Sequence, residues 1–206
     1  MARAIKRMID VTMSVAALVV LATPMAVIAL AIFTADGRPI LFRQLRPGYK
    51  ARPFTLFKFR TMAEMRDQEG HVLADSQRLT RLGRLLRSLS LDELPQLWNV
   101  LVGDMSLVGP RPLLMQYLDR YTAEQARRHQ MRPGITGWAQ VNGRNALNWP
   151  QRLALDVWYV DHWSLALDAH VMAKTVLQVL RREGISQAGQ ATMTEFMGNE
   201  NSAAGN

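Results

Sequence analysis

Cysteine is absent from all 206 residues. Disulfides and thiolate metal sites are therefore excluded, and any metal must be held by oxygen donors or by the four histidines, which favours magnesium or manganese over zinc. Acidic side chains are scarce, 17 Asp and Glu against 25 Lys and Arg. The resulting charge of +8 and pI near 10.6 call for an anionic partner: nucleic acid, an acidic membrane surface or a phosphorylated substrate. Charge of either sign is missing altogether from residues 11–35.

That uncharged stretch is long enough to cross a ~30 Å hydrocarbon core as one helix. Two details argue against a plain crossing. Thr23-Pro24 sits at its middle, where proline removes a backbone hydrogen bond and disfavours helical geometry in its predecessor. Basic residues also flank both sides, Arg3, Lys6 and Arg7 before and Arg38, Arg43, Arg46, Lys50 and Arg52 after, which keeps both ends in the cytoplasm by the positive-inside tendency. The expectation is a re-entrant helix-break-helix over residues 1–36, its break at Thr23 and Pro24; the alternative is a simple span with a proline kink. A cleaved signal peptide fits less well, because the apolar run exceeds the usual h-region.

Beyond it, residues 40–44 and 54–59 read as two strands around a turn at Pro47-Gly48-Tyr49-Lys50, with Lys58 and Arg60 on one face. Residues 64–75 read as a polar loop. Residues 78–89 carry Leu79, Leu82, Leu85, Leu86 and Leu89 as one helical stripe and Arg81, Arg84 and Arg87 on the other side, a basic amphipathic helix suited to a core or to a membrane surface. Thr122-x-x-Gln125 is a capping box opening a short helix that ends near Met131. Residues 153–164 and 165–180 have helical apolar stripes, and Trp149, Trp158 and Trp163 suit either a headgroup-level belt or a core. His162 reads more readily as a satisfied surface histidine than as a ligand. The tail 199–206 is small and polar, as disordered ends are. The whole is an α+β chain, mainly helical, with a small β-hairpin and several amphipathic interfacial helices forming one domain over residues 37–198.

The chemistry concentrates in Arg87-Ser-Leu-Ser-Leu-Asp92-Glu93-Leu-Pro-Gln and Gly109-Pro-Arg111-Pro. Two adjacent carboxylates stand in an arginine-rich neighbourhood, with Arg84, Arg87 and Arg111 able to shield an anionic nucleophile from a phosphoryl group and the carboxylates able to recruit a divalent ion. Ser90-x-x-Glu93 is equally a capping box, Ser90 as N-cap with Asp92 and Glu93 in the first helical turn. Prolines on both sides of Arg111 restrict its guanidinium, which suits bidentate phosphate recognition. Arg132-Pro-Gly-Ile-Thr-Gly-Trp-Ala-Gln140-Val-Asn142-Gly-Arg144 supplies glycines, amides and arginines of the kind that fold around a nucleotide, although loops alone also explain glycine.

Taken in order along nearly the whole chain, the Thr-Pro-broken apolar segment, Lys58-Phe-Arg60-Thr-Met and these three motifs resemble the bacterial sugar transferase family, the monotopic phosphoglycosyl transferases. Without an additional multi-span N-terminal region, the chain resembles the minimal members. Residues 142–149 and 184–198 resemble the branch acting on N,N'-diacetylbacillosamine. The resemblance implies transfer of a sugar 1-phosphate from a UDP-sugar to undecaprenyl phosphate with release of UMP, at the cytoplasmic face of the bacterial inner membrane. It implies Asp92 as nucleophile forming an aspartyl phosphosugar, Glu93 as its orienting or metal-handling neighbour, and Mg2+, or Mn2+, held by both. Lys58, Arg87 and Arg111 would bind phosphate, with Arg60 a further candidate for the phosphate-binding wall from its place beside Lys58 on the strand face, and Arg132, Gln140, Arg144 and Asp168 would belong to the nucleotide or lipid-phosphate region. Membrane phospholipid and a second copy of the chain are the further expected partners. The family commonly has serine where this chain has Thr23, whose hydroxyl can serve the same backbone carbonyl.

Two other classes compete. A non-catalytic basic membrane scaffold would explain the charge but leave Asp92 and Glu93 without work, and a glycosyltransferase moving the sugar alone would release UDP. Nucleic acid is the weakest partner, since the basic residues bracket a membrane segment and flank carboxylates that repel a phosphate backbone.

Overall fold

A computed structural model describes residues 1–63, 65, 69–71, 73–143, 147–181 and 195–198. The chain opens with α1, Ala2–Asp36, an unbroken helix of 35 residues with Pro24 inside it. The expected break at Thr23 and Pro24 therefore does not end the helix. α1 has two dissimilar faces. Lys6, Asp10, Ser14 and Ile32 are buried, and Ala17, Leu18, Leu21, Met25, Ile28 and Ala29 pack between them, spaced so that one stripe meets the rest of the protein along the helix. The opposite face shows Met13, Val19, Val20, Val27 and Leu30 to the outside. By length and composition α1 can cross a membrane.

The strands β1, Leu41–Pro47, and β2, Pro53–Phe59, form the expected antiparallel hairpin, with Leu41 opposite Phe59 and Arg46 opposite Phe54. A short helix α2, Asp75–Arg78, follows, and then α3, Arg81–Ser88, starts only at Thr80, whose hydroxyl accepts from the Gly83 amide. The single helix expected over residues 78–89 is thus split, because Leu79 extends to bridge Met62. Leu82 and Leu86 of α3 pack on the second half of α1, while Leu85 stays exposed.

α4, Gln96–Val102, ends on Gly103 in the left-handed conformation. Its last carbonyls, on Val100 and Leu101, accept 2.6 and 2.8 Å bonds from Arg7 of α1, a cation placed at a helix C-terminus. Two short strands that the spacing of residues did not foretell come next: β3, Ser106–Val108, pairs in parallel with β4, Gly134–Thr136. Their backbones approach so closely that a Cβ on Gly134 would lie 2.1 Å from the Gly109 nitrogen. Glycine in the Arg132-Pro-Gly segment is thus required by strand contact.

The predicted capping box at Thr122 is present and opens α5, Ala123–Ala126, followed by a 3-10 turn Arg127–Gln130. α6, Trp138–Val141, leads to α7, Trp149–His162, capped by a second reciprocal box of Asn148 and Gln151, and α8, Leu165–Arg181, closes the body. His162 is exposed and stacked on Trp158, as a surface histidine is. Trp149 instead sits edge-on to Tyr117 in an aromatic cluster closed by Phe196, from the short described segment 195–198. The expected tail 199–206 lies outside the described residues.

Candidate active site

Ser90 decides the local geometry around the carboxylates. It adopts a left-handed conformation at φ 56° and makes no capping bond, and Leu91–Glu93 form a 3-10 turn between α3 and α4. The capping-box reading is overturned in its bonds: Asp92 and Glu93 lie in the first turn of this 3-10 segment, but Ser90 gives no side-chain cap. Leu91 and Leu94 on either side pack against the second half of α1. With both leucines anchored, the intervening carboxylates are turned toward the hairpin and the Pro-flanked Arg111.

The two carboxylates are treated differently. Glu93 Oε1 accepts from Lys58 Nζ at 2.6 Å and from Arg111 Nη2 at 2.7 Å. Burial alone would raise its pKa, but Arg111 and Lys58, by charge and by hydrogen bond, outweigh it and hold Glu93 well below the ordinary carboxylate range. Asp92 has Lys58 at 3.8 Å, an ion pair too long for a hydrogen bond. Burial pushes its pKa up, Glu93 adds to the rise, and Lys58, Arg111 and Arg87 pull the other way. One carboxylate is therefore locked as a counterion. Its neighbour is desolvated, with cations in reach and no such close bond to them. A carboxylate in that condition is suited to attack, because its lone pairs are not spent and the charge it will meet is already shielded.

Arg111 is held from behind. Arg128 Nη2 donates to the Arg111 carbonyl at 2.6 Å and to Asp156 Oδ2 at 2.6 Å, and its Nε adds a third bond of 3.1 Å to the same carboxylate oxygen. This Arg128–Asp156 pair is almost fully buried, and nothing in the local sequence signalled it. Only the pairing of β3 with β4, which brings residues 109–112 beside 127–134, and the packing of α7 on that turn create it.

The other predicted site residues divide. Arg87 joins the site, its Nε donating to Thr61 Oγ1 at 3.0 Å on the strand side. Arg60 does not point to the carboxylates. It closes the end of α1 through bonds to the carbonyls of Asp36, Gly37 and Arg38. Asp168 is likewise elsewhere, in a buried latch where it accepts from Lys6 at 2.6 Å, Tyr159 at 2.6 Å and Trp163 at 3.1 Å. Arg132 lies over the Tyr49 ring and donates to the Gly103 carbonyl. Gln140 donates to the Ile135 carbonyl at 3.3 Å. Arg144 falls outside the described residues. Exposed Arg84 sits on the outer side of α3.

Among the described residues no three His, Asp or Glu side chains converge as a metal cage. Two adjacent carboxylates nevertheless fit an ion such as Mg2+ that completes its shell with water and substrate phosphate oxygens. Both cations meet Glu93 at Oε1, which leaves Oε2 as the oxygen to offer such an ion.

Comparison with known proteins adds an independent observation. The family model for bacterial sugar transferases matches residues 1–182. The chain is 54% identical over 198 residues to the uncharacterized sugar transferase EpsL of Bacillus subtilis, covering 94% of this chain and 96% of that protein. It is 43% identical over 187 residues to a UDP-glucose:undecaprenyl-phosphate glucose-1-phosphate transferase of Caulobacter vibrioides, covering 85% of this chain and 69% of the relative. With the undecaprenyl-phosphate galactose phosphotransferase of Salmonella typhimurium it shares 38% identity over 200 residues, 88% of this chain but only 42% of the relative.

Proposed function

The chain belongs to the bacterial sugar transferase family, and on that footing we propose that it moves a sugar 1-phosphate from a UDP-sugar to undecaprenyl phosphate, releasing UMP. The observation that carries the reading is the asymmetry of the two carboxylates. Glu93 is spent on Lys58 and Arg111, whereas Asp92 keeps its oxygens available beside the same cations. The name of the relative from Caulobacter vibrioides supports both substrate classes, a UDP-sugar and undecaprenyl phosphate, and that from Salmonella typhimurium supports undecaprenyl phosphate.

In the first half-reaction an Asp92 carboxylate oxygen attacks the β-phosphorus, the bond from that phosphorus to the bridging oxygen breaks, and UMP departs. The result is an aspartyl phosphosugar. An oxygen of the lipid phosphate then attacks the same phosphorus, the bond to Asp92 breaks, and the carboxylate is restored as the polyprenyl diphosphosugar forms. Splitting the transfer in two spares the site from holding two highly charged substrates at once. Lys58 and Arg111 neutralise charge on the phosphoryl oxygens, and Arg87 approaches from the α3 side. Asp92 and Glu93 would hold Mg2+, with Mn2+ accepting the same donors; bound there, the ion would offset charge on the diphosphate.

Membrane attachment is part of the same reading, supported by the membrane-length apolar α1. A re-entrant hairpin bent at Pro24, both ends cytoplasmic, would set Leu91 and Leu94, and with them Asp92, at the depth where an aqueous donor and a lipid acceptor meet. For the sugar, an N-acetylated amino sugar such as N,N'-diacetylbacillosamine rests on the likeness of residues 142–149 and 184–198, of which 144–146 and 184–194 lie outside the described residues. The relatives from Caulobacter vibrioides and Salmonella typhimurium carry glucose and galactose names.

The test is donor alone. Incubation with candidate UDP-sugars and no acceptor should load one phosphosugar mass on Asp92 and release one equivalent of UMP, and the Asp92→Asn protein should do neither while still sedimenting with membranes. Release of UDP would instead mark a glycosyltransferase. For topology, tags at both ends reporting opposite sides of the membrane would rule out the hairpin.

A further inference from the structure

Asn99, in the middle of α4, is fully buried, and its carboxamide is aimed back at the hairpin. Oδ1 accepts from the Phe57 amide at 3.1 Å, while Nδ2 donates to the Thr55 carbonyl at 2.8 Å and to Asp104 Oδ2 at 3.3 Å. A backbone N–H can only donate and a backbone carbonyl only accept, so the carboxamide has a single orientation there, with both of its N–H groups used. The two β2 groups it bonds are two residues apart, the pair that one peptide of a neighbouring strand would take. Asn99 supplies a peptide-like amide in place of that strand. β2 is thus held by β1 on one edge and by Asn99 on the other. With neither sliding nor rotation left to it over residues 55–57, the strand can send the next side chain, Lys58, in one direction only. Lys58 Nζ meets Glu93 at 2.6 Å and stands 3.8 Å from Asp92.

We propose that Asn99 is a positioning residue, whose carboxamide sets the distance and direction of Lys58 to Asp92 and Glu93 without touching substrate. The role presupposes the phosphosugar transfer described above. α4 is the element that makes it possible: the 3-10 turn with the carboxylates leads into its start, and its middle clamps the strand with the lysine. Its end is tied to the third charged group. The Asn99 carbonyl accepts from the Gly103 amide at 3.2 Å and from the Met105 amide at 3.1 Å, which turns the chain into β3 and on to Arg111. Side chains of similar size cannot replace the carboxamide. Leucine makes neither bond to β2, and an aspartate carboxylate accepts from Phe57 but has no N–H for Thr55. A Lys58 displaced by an ångström would exchange a charge-assisted hydrogen bond for a loose ion pair, and shielding of the attack on phosphorus would weaken with it.

The experiment is a double-mutant cycle with Lys58, read on donor-only loading per folded molecule. The detergent-solubilised full chain is mixed with whichever of UDP-glucose, UDP-galactose and UDP-N,N'-diacetylbacillosamine loads the wild type, and the adduct is followed by intact mass. Asn99→Ala should lower the loading rate constant at saturating donor about tenfold or more, with the half-saturating donor concentration little changed. Asn99→Ser, whose hydroxyl can keep one of the two β2 bonds, should fall between alanine and wild type. In the Lys58→Met protein, where no lysine is left to position, Asn99→Ala should change the rate constant by about twofold or less. Equal losses in both backgrounds would leave Asn99 a general structural role and overturn the proposal. An Asn99→Ala protein that loads at the wild-type rate would overturn it too, as would a loss confined to the half-saturating donor concentration. Should the alanine variant fail to fold, the same cycle with Asn99→Ser decides. If product forms with no adduct, the nucleophile assignment falls and the cycle is read on product formation. A wild type that yields neither adduct nor product with any of the three donors refutes the reaction and any role of Asn99 in it, whereas additive losses in an active wild type refute the role alone.

Discussion

The carbonyl oxygen of Arg111 accepts a 2.6 Å hydrogen bond from Nη2 of Arg128, so the arginine facing the carboxylates is positioned by a second, buried arginine behind it. Arg128 is in turn neutralised by Asp156, at side-chain exposures of 1% and 2%. Asp156→Asn leaves that cation buried and uncompensated, a change that costs about 3–5 kcal/mol in comparable pairs. Chemical denaturation in detergent should show that loss. Turnover, measured where the variant is still folded, should fall at least tenfold as Arg111 loses its support.

The pH response separates the two carboxylates. Glu93 has its pKa held below the ordinary range, so its contribution to stability is present above that range and is lost only as pH falls through the lowered value. Asp92 is shifted the other way, by burial first. Folding favours its protonated form, so the fold is under least strain from Asp92 at acid pH and carries the cost of its charge at neutral pH. Asp92→Asn should therefore raise the melting temperature at neutral pH while abolishing adduct formation. In the wild type, donor-only loading should decline as pH drops through a single group titrating above the usual aspartate value. Lys58→Met removes the largest of the cationic influences on Asp92 and should move that acid limb to higher pH, as a stopped-time pH profile of loading would show.

Gly83 allows α3 to lie against the residues that follow β2. A Cβ there would stand 1.9 Å from the Thr61 carbonyl oxygen, so Gly83→Ala has to push α3 outward. Overpacking of this kind costs about 1–3 kcal/mol. The shift would also break the Arg87–Thr61 bond, and with it the approach of Arg87 to the carboxylates. Lower stability together with a reduced rate of loading is expected, with Ser88→Ala as a control, since the Ser88 hydroxyl donates back to the Leu85 carbonyl of its own helix.

Lys6 and Asp168 fasten the start of α1 to α8, at 2.6 Å and with side-chain exposures of 11% and 12%. Removing either partner should cost about 3–5 kcal/mol, while a Lys6→Met, Asp168→Leu double variant should be less destabilised than the sum of the two single changes. Because Trp163 donates to the same carboxylate, its fluorescence reports release of the latch. Donor-only loading per folded molecule should remain largely intact, which would distinguish a fastening role for Asp168 from a place among substrate ligands.

What was legible in the sequence was whatever depends on neighbours along the chain. The apolar length of α1, the hairpin around residues 47–50, the leucine stripe that packs Leu82 and Leu86, and the Thr122 capping box all follow from local spacing. Ser90 misled for the same reason, since its spacing to Glu93 fits a cap, but the two cations that claim Glu93 come from β2 and from residue 111. Arg60 was assigned from strand alternation alone, and the carbonyls at the end of α1 capture it instead.

By itself, then, the amino-acid order determined that this protein has one membrane-length apolar helix, a strongly basic body and a carboxylate pair among arginines, because composition and short-range periodicity are written residue by residue. Which carboxylate is spent and which is kept available, which arginines meet them, and that Arg128 and Asp156 stand behind the contact were decided only by tertiary structure. Charges act through space: a partner 18 or 35 residues away sets a group's protonation and orientation, and that distance closes only when β3 pairs with β4 and the hairpin folds over the turn at Asp92.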